Sequence, residues 1–314
     1  PSALAAGVSG TYIHSQLIFK MAGKMVHAAI LDDRGVIRIG GEEARDFLQG
    51  LVTCNMEDVG NGKPAFGALL TPQGKILFDF MISDQGDGFL LDCRAETVTD
   101  FVKRLTFYKL RAKVDIEDQS EHHAVVAVWG DDSLLPQSGL TLDPRLAALG
   151  LRGIVDRQTA QMLAADLGDA GSRAEYPAHR VALGVPEGGL DFAFSDAFPH
   201  EADMDQLRGV SFTKGCYVGQ EVVSRMQNRG TARTRMILAR SRGDLPPQGS
   251  TIEAGGKSIG TLGPGFEGQA IATIRLDRLA QAISDGAGIS ADGVALDITI
   301  PEWAGFDLAN LAGA

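Results

Sequence analysis

Two different periods of hydrophobic residues divide the first part of this 314-residue chain into helices and strands. The segment 42–51 carries apolar residues at positions i, i+3, i+4 and i+7, which predicts a helix with one apolar face. A Pro-Gln-Gly turn then precedes an apolar run rich in β-branched and aromatic residues, and this run predicts a strand over 75–82. A second strand over 89–92 and a helix over 98–105 follow. The predicted order is β-α-β-β-α, with the helices packed on a sheet.

The pattern changes towards the end of the chain. An apolar run predicts a strand over 124–129, and helical spacing predicts a helix over about 156–167. Beyond residue 240, Gly and Pro interrupt short apolar segments, which is typical of a small antiparallel barrel or sandwich. We therefore expect a leader outside the fold over 1–25, a body of strands and helices over 26–240, and a C-terminal β-barrel over 241–314.

Composition and charge narrow the class of protein. Hydrophobic residues make up 44% and charged residues 22%, and the longest apolar stretches are strand-sized, so we expect a soluble globular protein without a membrane span. A net charge of −11 argues against binding to duplex nucleic acid. The segment 214–242 is nevertheless basic, with seven cations against the single acid Glu221. Such a patch suits an anionic small ligand, or it is a set of solvated arginines, and both interpretations stay open.

The chain has three cysteines, Cys54, Cys93 and Cys216. No pair shows the Cys-x-x-Cys or Cys–His spacing of a zinc site, so we expect neither a disulfide framework nor a self-contained metal or cluster site. Cys54 and Cys93 are interpreted as core residues. The N-terminal residues lack the pattern of a secretory signal peptide, and we expect a cytoplasmic protein.

The most informative segment is 209–230. Two glycines free the backbone around Cys216, and the residues from Gln220 onward predict a short helix that ends at Gly230. Cys216 would then lie just before a helix N-terminus and two residues from Lys214, and both features favour the thiolate. The alternative is a small buried cysteine on a tight turn. On the predicted helix, an acid precedes two bases at four-residue intervals: Glu221, Arg225 and Arg229.

Longer motifs resemble a known family. Lys-Gly-Cys-Tyr-x-Gly-Gln-Glu at 214–221, followed by Arg225 and the pair Arg229-Gly230, resembles the signature of the YgfZ family. The segments 47–53 and 68–76 look like the N-terminal blocks of the same family. The resemblance implies folate-dependent proteins that assist iron–sulfur cluster assembly and are built like the T-protein (aminomethyltransferase) of the glycine cleavage system.

The resemblance implies an α+β fold, a T-protein-like three-lobed ring of two mixed α/β parts with a C-terminal antiparallel β-barrel. It also implies that tetrahydrofolate, or a one-carbon derivative, binds near the centre, within 26–240. Glu201 occupies what looks like the pterin-recognising position, where a carboxylate accepts an N–H and an amino group together. Asp79 is similar in place to the acids near the reactive nitrogen in T-proteins. Four arginines that suit the glutamate tail, and three motif residues, complete the implied folate site: Arg180, Arg225, Arg229, Arg233, Lys214, Tyr217 and Gln220.

Two departures from the T-protein pattern bear on function. T-proteins usually have two adjacent acids where this chain reads Phe78-Asp79, and an acid is common at the position of Cys216. We therefore expect a folate-binding assembly factor that uses Cys216 as a redox or ligand thiol, with assembly factors and client cluster enzymes as partners. One cysteine cannot hold a cluster, so a second chain or exogenous thiols would share it. The alternatives are a folate-dependent aminomethyl or methyl transferase that uses Asp79 as acid or base, and a folate-binding regulatory module.

Overall fold

The computed structural model describes residues 26–130, 134–136, 139–167, 172–230 and 232–306, so the leader predicted over 1–25 lies outside the described residues. The described helices are α1 Ala44–Gln49, α2 Val98–Lys109, α3 Arg157–Leu167, α4 Ser172–Ala182, α5 Gln220–Arg229 and α6 Leu276–Ser284. None of them is long and apolar enough to cross a membrane. The described strands are β1 His27–Ile30, β2 Arg34–Gly40, β3 Ala65–Leu70, β4 Ile76–Asp84, β5 Gly88–Arg94, β6 Asp115–Asp118, β7 His123–Trp129, β8 Thr141–Leu142, β9 Leu151–Asp156, β10 Thr234–Arg240, β11 Thr251–Ala254, β12 Lys257–Phe266, β13 Gln269–Arg275, β14 Ile289–Ala291, β15 Val294–Ala295 and β16 Asp297–Thr299.

The first sheet has the strand order β3-β4-β5-β2-β6, and its neighbouring strands are antiparallel. The helices α1 and α2 pack against it, and Val98, Phe101 and Leu105 form the buried side of α2. These three residues recur at helical spacing, so they share one face and enter one core. The strand predicted over 75–82 is β4, and the helices predicted over 42–51 and 98–105 are α1 and α2. These predictions are confirmed, with shifts at the ends.

The second sheet has the order β1-β7-β9-β8 and is also antiparallel. Strand β7 lies inside this sheet and is buried from Ala124 to Trp129, which explains its uninterrupted apolar sequence. The predicted strand over 124–129 and the predicted helix over 156–167 are confirmed as β7 and α3. No pattern predicted α4, because Pro177 lies inside this helix and an interior proline normally ends one.

The third sheet has the order β15-β14-β11-β12-β13-β10-β16 and forms a nearly closed antiparallel barrel with a core of its own. A register shift between Leu262 and Gly265 lets β12 bend along the barrel wall. The predicted C-terminal antiparallel barrel is confirmed. Its first strand, β10, precedes residue 241, where we expected the domain boundary.

Candidate functional site

Buried charges mark the place where the first two sheets meet. Asp92 on β5 accepts a hydrogen bond from Arg34 Nε at 2.6 Å and another from Arg152 Nε, on β9, at 2.7 Å. All three side chains are more than nine-tenths buried. Burial alone would raise the pKa of the Asp92 carboxyl, but the guanidinium groups of Arg152 and Arg34 lower it below its usual range. The ionised Asp92 therefore connects the first sheet to the second through its ion pair with Arg152.

Glu187 extends this cluster from the loop after α4. Its Oε1 accepts a hydrogen bond from Arg34 Nη1 at 2.9 Å, and its Oε2 lies 3.3 Å from Arg180 Nε. Burial alone would raise the pKa of this carboxyl, but the buried arginines, Arg34 first, lower it to about 2. Arg180 also donates to Asp191 Oδ2 at 2.7 Å and to the carbonyl of Val185. The side chain of Arg180 is 1% exposed, so Arg180 neutralises buried carboxylates and does not face solvent.

Asp79 on β4 is a buried carboxyl, and only one of its two oxygens accepts a hydrogen bond from a described residue. Its Oδ2 accepts the Gly188 N–H at 3.2 Å, whereas its Oδ1 has no hydrogen-bond partner among the described residues. Burial raises the pKa of this carboxyl, and Arg34 opposes the rise only in part. A Cβ at Gly188 would lie 2.5 Å from the Phe194 ring, so glycine permits this close approach. Asp79 can accept from a ligand or, when protonated, donate to one.

A cavity of 190 Å³ opens beside the charge cluster. Its walls include Arg34, Arg152, Glu187, Tyr176 and Leu190. This set fits the pterin end of a folate, because the carboxylate accepts N–H groups and the apolar walls accommodate a flat ring. Pockets for whole drug-sized ligands measure about 300–1,000 Å³. The cavity therefore has the size of a pterin ring system, and the rest of a folate would extend beyond it.

The motif loop, residues 209–219, is fastened to the segment that follows α1. Lys214 Nζ donates to the carbonyls of Val52 and Cys54, both at 2.7 Å, and its side chain is buried. Burial lowers the pKa of Lys214 from its ordinary value of 10.5 to about 8. A neutral amine still has two N–H donors, one for each of these carbonyls. Lys214 therefore holds the loop in place.

Cys216 is exposed on the motif loop, whereas Cys54 and Cys93 are buried, which confirms the interpretation of these two as core residues. Burial raises the pKa of both buried thiols to about 12. Helix α5 begins at Gln220, as predicted, and ends before Gly230 in the left-handed conformation. Cys216 thus lies in solvent, shortly before a helix N-terminus.

Glu201, the carboxylate predicted to recognise the pterin, takes part in a local turn. Its Oε2 accepts the Phe198 N–H at 3.0 Å. The side chain is half-buried and does not line the cavity beside Glu187. The structure places Glu187, and not Glu201, among the buried arginines.

The remaining predicted residues lie on the motif loop and around α5. Tyr217 is buried, and burial raises its pKa to about 12. Arg225 pairs with Glu221 at 2.8 Å on the exposed side of α5, which confirms the predicted spacing. Three others, at the start of α5, at its end and just after it, are half-buried or exposed: Gln220, Arg229 and Arg233. Because Arg180 is buried, it does not share a surface with the arginines of α5.

Two family models match different parts of the chain. The GCVT N-terminal domain matches residues 26–143, and the CAF17 C-terminal beta-barrel domain matches residues 233–306. The human iron-sulfur cluster assembly factor IBA57, mitochondrial, is 30% identical over 305 residues, which cover 87% of this chain and 84% of the human protein. The chain belongs to the IBA57 family. This family is related to YgfZ, so the resemblance is confirmed at the level of the wider family.

Other IBA57 proteins are similar over different lengths. The mouse protein is 29% identical over 307 residues, which cover 87% of this chain and 84% of that protein. The homologue of Mycosarcoma maydis is 34% identical over 223 residues, 65% of this chain and 54% of its own length, so the chain spans about half of this fungal relative. All three relatives are mitochondrial by name. The expectation of a cytoplasmic protein is therefore wrong, since the IBA57 relatives indicate mitochondria.

A solved structure has the same fold as this member of the IBA57 family. The glycine cleavage system aminomethyltransferase T from Bartonella henselae aligns with a TM-score of 0.69, covering 89% of this chain and 86% of that chain at 16% identity. The predicted T-protein-like α+β fold with a C-terminal antiparallel barrel is confirmed. At 16% identity this similarity shows a shared fold and does not show a shared activity.

Proposed function

We propose that this chain assists the assembly of iron–sulfur clusters and presents Cys216 as a thiolate ligand to a cluster that a partner protein also holds. The observation that carries the proposal is the exposure of Cys216 in a chain whose other two cysteines are buried. Membership of the IBA57 family supports it, because the relatives are named as iron–sulfur cluster assembly factors. The partners would be other assembly factors and the client enzymes that receive the cluster.

The surroundings of Cys216 suit a shared cluster. Within the described residues, no three His, Cys, Asp or Glu side chains are grouped so that they hold a metal ion. Iron–sulfur clusters are held by several thiolates, so the remaining ligands would come from the partner. A Cβ at the neighbouring Gly215 would meet nothing within 4 Å, which leaves space for a cluster to approach. The two hydrogen bonds of Lys214 hold the motif loop against the segment after α1, so the position of the thiol is fixed.

We further propose that tetrahydrofolate, or a one-carbon derivative, binds with its pterin ring in the cavity beside Glu187. Glu187 would accept the pterin N–H and amino groups in the role that the sequence suggested for Glu201. Its low pKa keeps it an acceptor at neutral pH. Asp79 does not line this cavity, but it accepts the N–H of Gly188, next to Glu187, and its unpartnered Oδ1 is a second buried acceptor in this part of the fold.

The role of the thiol is tested by replacing Cys216 with serine or alanine in cells that lack their own copy of the protein. We expect both variants to lower the activity of cluster-dependent enzymes, while cluster-independent enzymes of the same compartment keep theirs. Thr213→Ala, at an exposed position of the same loop, is the matched control and should behave like the wild type. Normal activity of cluster enzymes with Cys216→Ser would remove the case for the thiol.

Folate binding is tested by calorimetry with tetrahydrofolate and its one-carbon derivatives. We expect Glu187→Gln to weaken binding by at least about tenfold, roughly the loss of one charge-assisted hydrogen bond. Glu201→Gln should leave the affinity unchanged, because Glu201 closes a local turn. Circular dichroism should show that both variants are folded. An affinity that depends on Glu201 and not on Glu187 would reverse the assignment.

One observation favours the alternative, a folate-dependent aminomethyl or methyl transferase. Burial raises the pKa of Asp79, and its Oδ1 has no hydrogen-bond partner among the described residues, so this carboxyl is the candidate acid or base of such an enzyme. The transferase predicts turnover of tetrahydrofolate with an amine-bearing donor, abolished by Asp79→Asn. Cys216→Ser should not affect that turnover, which separates the two functions. Absence of turnover with every donor tested would count against the transferase.

A further inference from the structure

The end of α2 and the turn after it form a basic surface on an acidic chain. Residues 103–113 contain five cations and no acid, although the whole chain has a net charge of −11. Two of these cations make exposed pairs, Lys103 with Asp100 at 3.2 Å and Lys113 with Glu42 at 3.0 Å. For the other three, no described carboxylate lies within 4.0 Å: Arg104, Lys109 and Arg111. These three cations are therefore available to form ion pairs with another molecule.

Two large apolar side chains stand in solvent among these cations. Phe107 is 70% exposed and Leu110 is 87% exposed. Leu110 also has φ 46° and ψ −104°, a backbone conformation that leucine rarely adopts. Such strain is often found at binding sites. We call this set of residues the α2 tip: Arg104, Phe107, Lys109, Leu110 and Arg111.

A cleft of 550 Å³ borders the α2 tip. Phe107 lines it from α2, and Leu77, Phe78 and Phe194 line it from the facing segments. Its floor is fixed, because the Phe78 ring stacks on Phe101 in the core with ring centroids 4.5 Å apart. A concave apolar floor beside exposed apolar side chains suits an apolar side chain of a partner, which anchors an interface best in such a pocket.

We propose that the α2 tip and its cleft bind an acidic segment of a partner protein. An apolar side chain of that segment enters the cleft, and its carboxylates pair with Arg104 and Arg111. A protein fits better than a lipid surface, because Glu96 and Asp100 also line the cleft and β6, which follows the tip, carries exposed acids. A uniformly anionic membrane would meet these acids as well as the cations, whereas a folded or extended segment pairs with the cations alone.

The position of the α2 tip relates it to the motif loop. Tyr108 of α2 and Val218, two residues after Cys216, pack against the same hydrophobic core. A partner held at the tip is therefore held by the part of the molecule that also supports the thiol. The binding itself needs neither the thiol nor a folate, so it stands or falls separately from the proposed function.

The test uses the full chain and a short fluorescent peptide in which Asp and Glu surround a Leu-Phe pair. Anisotropy should show saturable binding that weakens as salt is added. The double variants Arg104→Glu/Arg111→Glu and Phe107→Ser/Leu110→Ser should each lower the affinity by at least about tenfold. The double variant Arg240→Glu/Arg242→Glu changes the charge by the same amount at exposed positions elsewhere and should leave binding unchanged, as should Cys216→Ser. All replaced side chains are exposed, so the variants should fold normally.

Several outcomes would overturn the proposal. Absence of saturable binding to the acidic peptide is one. Another is an equal loss of affinity with Arg240→Glu/Arg242→Glu and with Arg104→Glu/Arg111→Glu, since this would be a general effect of charge. Replacing the Leu-Phe pair of the peptide by serines should weaken binding, and unchanged binding would contradict the role of the cleft. Vesicles of phosphatidylglycerol form the second arm. Tip-dependent sedimentation with these vesicles, without binding of the peptide, would assign the surface to lipid instead.

Discussion

Asp92→Asn should destabilise the fold, because it removes the carboxylate that neutralises two buried arginines. The side chain keeps its size, so packing is nearly unchanged. Arg34 and Arg152 would remain buried, and each lost partner was within 2.7 Å. An asparagine offers one acceptor oxygen in place of two, and its amide group faces an N–H donor. The perturbation is therefore electrostatic, at the contact between the first and second sheets.

The size of the effect follows from burial. Breaking a buried ion pair by removing one partner costs about 3–5 kcal/mol. Glu187 still neutralises part of the charge of Arg34, so we expect a value near the lower end, about 3 kcal/mol. This is a large share of a typical unfolding free energy of about 5–15 kcal/mol. A domain of this size loses about 2–4 °C per kcal/mol, which predicts a fall in the thermal midpoint of about 6–12 °C.

The assay is thermal and urea unfolding followed by circular dichroism, with Asp87→Asn as the matched control. Asp87 pairs with Arg38 at 2.9 Å, but its side chain is 76% exposed, so its loss should cost less than about 1 kcal/mol. The folded pKa of Asp92 is depressed, so its contribution is complete above the unfolded pKa of about 4 and disappears as pH falls through the folded value. Equal shifts for the two variants, or a difference that vanishes between pH 7 and pH 5, would refute the reasoning.

Two further predictions concern the motif loop. Gly219→Ala should lower the thermal midpoint and speed proteolysis of the loop, because a Cβ would lie 2.6 Å from the carbonyl oxygen of Thr71 at φ 81°; Gly215→Ala, with open space around it, should not. Lys214→Met should cost about 1–3 kcal/mol at pH 7, because two carbonyls lose their donor. The folded pKa of about 8 lies below the unfolded value, so the unfolded state binds more protons between pH 8 and 10.5 and the wild type gains stability over the variant there. A constant difference between pH 7 and pH 10 would contradict this.

Periodic patterns predicted the elements that have one buried face, and they failed where charges are buried. The sequence analysis predicted a strand over 89–92. The strand β5 continues to Arg94, because its backbone pairs with β2 as far as Arg34, and the buried Asp92 is neutralised by two arginines from β2 and β9. A single charged residue in an apolar run is normally assigned to the solvent side. That Asp92 faces the interior becomes clear only from the tertiary structure, in which the first and second sheets pack together around it.

The same limit explains why Glu187 was not a candidate in the sequence analysis, whereas Glu201 was. Both are acids in loops, and the loop sequence does not say which of them lies among buried arginines. Glu187 is distinguished by Arg34 and Arg180, which reach it from β2 and α4. By contrast, the motif around Cys216 was recognisable because its helix and turn are local. Local chemistry was predictable from the sequence, and the buried charge network required the tertiary fold.

The β3–β4 hairpin connects the motif loop with the buried centre of the fold. The turn at Gly74 packs against the motif, since a Cβ there would lie 2.9 Å from Val222 and 3.3 Å from the carbonyl of Gly219. Asp79 lies five residues further along the hairpin, at the buried centre, which corresponds to about 16 Å of extended chain. Cys216 is not among the residues that line the cavity proposed for the pterin ring, and neither is Asp79. We therefore expect a folate bound in that cavity to act on the thiol indirectly and not by direct reaction.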